Sequence, residues 1–168
     1  MKIAVGSDHA GFALKQMLVE DIKSLGHDVE DFGSYTPAAV DFPIIAQKVG
    51  TAVLTNQTER GIMFCGTGIG AAIACNKIPG IRAAVCHDIY SAHQCVEHDN
   101  VQILCLGGQV IGHTVAFELI RQFLDARFSE SPEFRRRVAM LDDMEQYPKS
   151  DGLFHSPHLE SADKNMPL

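Results

Sequence analysis

At 168 residues, with 46% hydrophobic and 21% charged residues, the chain has the composition of one globular domain with a sizeable core. Its formal net charge of −7 weighs against a nucleic-acid backbone or an anionic membrane surface as partner. No apolar run is long enough to cross a bilayer, the first residues lack a signal peptide, and five cysteines without a CxxC or a zinc spacing read as free thiols in a reducing cytoplasm.

Strand and helix patterns alternate from the start. Residues 2–6 are a short apolar run and predict a strand. Over 11–25, Phe12, Leu14, Met17, Leu18, Ile22 and Leu25 keep a helical period, and Gly26 stops it. Residues 27–32 alternate and end at Gly33, a second strand. A loop over 34–40 contains Pro37. A helix follows from 42 to about 54, with Pro43 in its first turn and Asp41 in position to cap it. Residues 61–65 predict the third strand, which runs into Gly66-Thr67-Gly68-Ile69-Gly70 and a helix to about residue 77. Pro79-Gly80 breaks the chain. Then come a buried strand over 81–86, a helix over 89–97, and a strand over 101–106 that ends at Gly107-Gly108. An amphipathic helix over 113–127 is followed by a charge-dense helix over 133–146, opened by Ser131-Pro132 and expected along one edge or on a partner subunit. This predicts one domain over 1–146, and a loosely held polar tail over 147–168 with Pro148, Pro157 and Pro167.

Five strands interleaved with helices predict an α/β fold: a Rossmann-like three-layer sandwich around a five-stranded parallel sheet. Ligands bind such sheets outside the carboxyl ends of the strands. The loops there carry Ser7-Asp8-His9, Cys65-Gly66-Thr67, His87-Asp88 and Gly107-Gly108.

The glycine run offers free backbone N–H groups to an anion, with a thiol and a hydroxyl beside them. Cys65 is a candidate general base, its pKa expected to fall at the helix N-terminus; the alternative is a buried strand-end cysteine. The other cysteines read as small core residues. Thr67 is either a donor to a substrate hydroxyl or a helix cap. Asp8 either accepts from a substrate hydroxyl or caps the helix near Gly11, and His9 is placed to donate to an anion. His98, near a helix end, either protonates a sugar oxygen or answers the helix dipole. His93 and His113 read as surface residues. Of Arg135, Arg136 and Arg137, one can reach a phosphate while the others are solvated.

Several separate motifs resemble the ribose-5-phosphate isomerase B family, which also contains the galactose-6-phosphate isomerase subunits. They are Gly6-Ser7-Asp8-His9-Ala10-Gly11, Cys65-Gly66-Thr67-Gly68-Ile69-Gly70, Asn76-Lys77 with Gly80-Ile81-Arg82-Ala83, and Tyr90-Ser91-Ala92 with Glu97-His98. The resemblance implies an aldose–ketose isomerase of sugar phosphates that needs no metal and no cofactor. It implies a homodimer or homotetramer with active sites at subunit interfaces. By position, Cys65 would move the proton between C1 and C2 through an enediolate, His98 would assist ring opening, and Thr67 would stand by the reacting oxygens. Asp8 would hold sugar hydroxyls, and the backbone of Gly66, Gly68, Ile69 and Gly70 would stabilise the oxyanion. His9 and C-terminal arginines, Arg137 among them, would hold the phosphate.

The chain departs from that family where cations would meet the phosphate. Asp99-Asn100 stands in place of Asn-Asp, Gln109 in place of Arg, and Glu133 and Phe134 in place of Arg and His. Asp99, Gln109 and Glu133 make the pocket less cationic, unless Arg135 or Arg136 compensates. The sequence therefore predicts intact proton-transfer machinery with an altered far end of the pocket. A different aldose–ketose pair, or a sugar-phosphate sensor without turnover, is the alternative reading.

Overall fold

The computed structural model describes residues 1–146, so the predicted tail over 147–168 lies outside the described residues. Its strands are β1 (Lys2–Ser7), β2 (Asp28–Asp31), β3 (Arg60–Cys65), β4 (Ala83–Val85) and β5 (Ile103–Gly107). Its helices are α1 (Phe12–Ser24), α2 (Phe42–Leu54), α3 (Ile69–Cys75), α4 (Ile89–Asp99), α5 (His113–Asp125) and α6 (Pro132–Gln146). The sheet is parallel throughout, in the order β2-β1-β3-β5-β4.

Strand side chains alternate between faces, and both faces are buried. Ile3 and Val5, Ile62 and Phe64, and Leu104 and Leu106 pack with α1, α4 and α5. Ala4, Met63, Cys65, Ile103 and Cys105 face the other way, onto α2 and α3. The predicted α/β sandwich is the observed one. Because β1, β3 and β5 are covered twice, they read as continuous apolar runs, which is why the sequence revealed them.

The edges were harder to read. Strand β4 is three residues long, against a prediction of six over 81–86. Side chains take the backbone groups that would have extended it: Asn76 binds the N–H and the carbonyl of Ala83 (2.9 and 2.8 Å), and Gln102 Oε1 accepts from Arg82 N–H (2.8 Å). Asp41 stands at the start of α2 as expected but makes no capping hydrogen bond, whereas Asp88 caps α4 through Ser91 N–H (2.8 Å).

Helix α6 packs against α4 at the β4 edge, one of the two places predicted for it. Arg82 pairs with Asp142 (2.8 Å), and Glu145 accepts from Gly80 N–H (2.7 Å).

Candidate active site

Between β1 and β3 the winding of the sheet reverses: β2 lies outside β1, while β5 and β4 lie outside β3. A crevice opens at such a point because the connections on either side leave in opposite directions. Asp8 follows β1 and Cys65 ends β3, so the topology brings them face to face. Gly11 allows close approach here: a Cβ on it would lie 2.2 Å from the Phe64 carbonyl carbon. Asp8 N–H adds a hydrogen bond to Phe64 O (3.1 Å).

The Cys65 thiol donates to Asp8 Oδ2 at 2.8 Å, and Asp8 Oδ1 accepts from Gly11 N–H at 2.9 Å. Both side chains are almost fully enclosed, at 7% and 5% exposure. Asp8 thus holds the N–H of Gly11, the residue that opens α1, while its other oxygen meets the thiol. Burial pushes the Cys65 thiol above its ordinary value, and the hydrogen bond to Asp8 and the negative charge there push further the same way. Backbone N–H groups of Gly68 and Gly66 act in the opposite direction and are outweighed. The expected fall in the Cys65 pKa is thus corrected: desolvation and a neighbouring carboxylate exceed the pull of a seven-residue helix. The resting pair is a thiol held by a carboxylate.

Gly68 turns the chain into α3 with φ +80°, a conformation that strains any residue with a Cβ. Thr67 is exposed, and its Oγ1 accepts weakly from Ile69 N–H (3.3 Å), ahead of Gly68, the N-cap of α3. Gly66 and Gly70 are half-buried, Gly68 is buried, and Ile69 and His9 are exposed at the rim. The end of β5 closes the floor: Gly108 N–H donates to Cys65 O (2.8 Å) and Gln109 N–H to Gly66 O (3.0 Å). The Gln109 amide oxygen overlies the turn, 3.1 Å from where a Gly66 Cβ would stand. Gln109 was read from the sequence as a pocket residue, and it lies beside the Cys65 turn.

His98, Asp99 and Arg137 are not at this place in the same chain. Helix α4 starts at Asp88, beside the carboxyl end of β4, and runs back to the amino ends of the strands. Its eleven residues span about 16 Å. His98 and Asp99 occupy its far end. There the His98 ring stacks on Phe134 of α6, centroids 3.9 Å apart and 15° from parallel, and the Arg137 guanidinium lies 5.5 Å from the Phe134 ring centre. Arg135 pairs with Glu130 (2.8 Å) and lies against Phe128, while Arg136 is exposed. The predicted residues thus form two groups: Asp8, His9, Cys65, Thr67 and the glycine turn at one end of the sheet, and His98, Asp99 and Arg137 toward the other.

Sequence analysis did not select Lys15, Asp31 or Phe42. The Phe42 ring packs on Gly70, 3.0 Å from where its Cβ would stand. Lys15 is fully buried, with Nζ 2.7 Å from Asp31. Its signal was available: Lys15 lies three residues before Leu18 and seven before Ile22, on the buried stripe of α1. His93 and His113 are on the surface as expected, paired with Glu97 and Asp21. All five cysteines are free and buried.

Comparison with known proteins gives this geometry its class. The family model described as Ribose/Galactose Isomerase matches residues 3–141. The chain belongs to that family and is an aldose–ketose isomerase. It is 42% identical over 146 residues to the ribose-5-P isomerase B of Listeria innocua, covering 87% of this chain and 98% of that one. It is 41% identical over 130 residues to the D-erythrulose-4-phosphate isomerase of Pectobacterium atrosepticum, covering 76% and 85%. Among solved structures, ribose-5-phosphate isomerase B of Clostridium thermocellum superposes with a TM-score of 0.84 at 41% identity, covering 87% of this chain and 98% of that one. The resemblance drawn from the motifs is borne out.

Proposed function

We propose that the chain interconverts a phosphorylated aldose and its ketose, of the ribose 5-phosphate and ribulose 5-phosphate kind, by proton transfer through Cys65. The observation that carries this reading is the enclosed Cys65–Asp8 pair at the β1/β3 crevice, beside backbone N–H groups of the glycine turn. One proton and one negative charge are shared between sulfur and carboxylate. Passing the thiol proton to Asp8 makes the thiolate, which takes the proton from C2 of the aldose. The electron pair moves into an enediolate, whose oxygen charge is met by turn N–H groups and the Thr67 hydroxyl. The sulfur returns its proton to C1 while the hydroxyl proton on O2 passes to O1, giving the ketose, and Asp8 returns the thiol proton to the sulfur. No net acid, base or electron is consumed.

His98 and Arg137 enter this scheme from a second copy of the chain. The length of α4 separates them from Cys65 within one chain, which supports sites shared between subunits of a homodimer or homotetramer. There His98 assists ring opening, while His9 and Arg137 hold the phosphate. Free thiols suit a cytoplasmic setting.

A second reading concerns the substrate alone. Gln109 overlies the turn without a charge, Asp99 lies on the His98 side, and Arg135 is committed to Glu130. These observations favour a substrate other than ribose 5-phosphate. The likeness to an erythrulose 4-phosphate isomerase makes a four-carbon phosphate one member of the panel. The test is turnover across aldose and ketose phosphates of four to six carbons, with free sugars alongside, in deuterated water. Solvent deuterium entering the carbon beside the carbonyl supports the isomerase. Binding without exchange sinks it in favour of a sensor. A kcat/KM for ribose 5-phosphate on the order of 10⁴ M⁻¹s⁻¹ or above removes the second reading.

A further inference from the structure

We propose that Lys15 is a positioning residue for the Cys65–Asp8 pair, acting through Asp31 and the Gly33–Ser34 backbone. This rests on the reading of that pair as the reaction centre. A lysine with no exposure is expensive to bury, and stays charged only where partners surround it. Lys15 Nζ has three oxygen contacts at 2.7 Å: Asp31 Oδ1, Asp31 Oδ2 and the Ser34 carbonyl. The rings of Phe12 and Tyr35 flank it at 5.8 and 5.6 Å. None of these groups touches Cys65, so the cluster has no direct part in proton transfer.

Its connections lead there nevertheless. Asp31 Oδ1 also accepts from Gly33 N–H (2.9 Å). Gly33 O then accepts from Ser7 N–H (2.5 Å), and Ser34 N–H donates to Ser7 O (2.6 Å). Both backbone groups of Ser7, the residue before Asp8, are therefore held by a two-residue segment that the Lys15 ammonium and the Asp31 carboxylate pin from beneath. The circuit closes on the helix side: Asp8 Oδ1 accepts from Gly11 N–H, and Lys15 N–H donates to Gly11 O (3.0 Å). Each link fixes either the backbone that aims Asp8 or the helix start that binds its other oxygen. The contact at 2.8 Å between Asp8 and Cys65 depends on that aim, since a hydrogen bond weakens steeply once the angle opens. The charge pair thus acts as a registry device, which a hydrophobic pair could not replace because it would hold neither Ser34 O nor Gly33 N–H.

The test compares wild type, Asp31→Asn and Lys15→Met/Asp31→Asn, the last removing both charges so that neither is left unpaired. A Val96→Ala variant on α4, brought to the same Tm loss, reports what destabilisation alone does. The readouts are kcat and KM on the best substrate of the panel, and the pH dependence of Cys65 alkylation by iodoacetamide, followed by peptide mass spectrometry. The double variant is expected to lose roughly tenfold or more in kcat, with KM within about threefold. Its alkylation midpoint is expected about half a pH unit or more below wild type, because a carboxylate that leaves the thiol no longer holds its proton. Val96→Ala should change neither. A folded double variant with kcat and alkylation midpoint unchanged would overturn the proposal. If the double variant does not fold, Asp31→Asn decides: a lowered midpoint supports the proposal, and an unchanged one overturns it. Should wild type show no isomerase activity while the midpoint still moves in the variants, the function reading falls and the positioning role stands.

Discussion

Two ends of one sheet hold the residues that the motifs grouped together. At the carboxyl ends of β1 and β3, Cys65 and Asp8 are enclosed, bonded to each other and tied to the backbone on every side. Along α4 and α6, His98 is half-exposed and stacked on Phe134, whose ring also lies near the Arg137 guanidinium. The first region's contacts are all within the chain, which fixes the pair's geometry. The second is a surface element built from α4 and α6. Nearness in a motif list is not nearness in space, because every helix of a parallel sheet returns the chain to the opposite end.

The largest expected effect separates the two regions directly. Cys65→Ala should lower kcat by about 10³-fold or more and abolish deuterium exchange at the carbon beside the carbonyl, leaving the fold intact as judged by circular dichroism. His98→Ala should cost about 10²-fold, since an open ring form still reaches the Cys65 site.

Mixing those two variants sharpens the comparison. If sites are shared between subunits, heterodimers of Cys65→Ala and His98→Ala chains restore one intact site of two. Random exchange should then recover about a quarter of wild-type activity. No recovery after verified exchange would mean that both regions serve one chain alone.

A smaller effect concerns the inside of the first region. The thiol of Cys65 lies above its ordinary value because of burial and Asp8. Raised in the fold, it favours the neutral form, so its contribution to stability is present at neutral pH and lost as pH rises through the folded value. Asp8→Asn removes the charge and should lower that value, speeding Cys65 alkylation at pH 8 several-fold while kcat/KM falls by about tenfold or more. Faster alkylation together with slower turnover is a combination that unfolding alone would not give, because unfolding exposes all five cysteines together.

Smallest are the changes at Gln109 and Phe134. Gln109→Arg should raise kcat/KM for ribose 5-phosphate by about tenfold, the worth of one charge-assisted hydrogen bond. Phe134→Ala should cost about 1 kcal/mol in urea unfolding by loss of the His98 stack, and should alter activity only through KM or ring opening.

The sequence by itself determined a good deal. The apolar runs of β1, β3 and β5 announced strands buried on both faces, and the stripes of α1 and α5 announced their helices. The glycine turn after Cys65 and the Asp8 that follows β1 marked the right loops, because local chemistry dictates where a tight turn and a strand end can occur. Edge strand β4 was overread, since its apolar residues gave no hint that Asn76 and Gln102 would take its backbone partners. The sign of the Cys65 pKa change was also out of reach: it depends on a carboxylate 57 positions away in the chain and on burial, neither of which has a local signature. Nor could motif order say that His98 lies about 15 Å along α4 from the carboxyl ends of the strands. Period and turn chemistry act over a few residues and are written along the chain. Strand order, desolvation and the direction in which each helix returns arise only when distant segments pack, and those decided which side chains share a site.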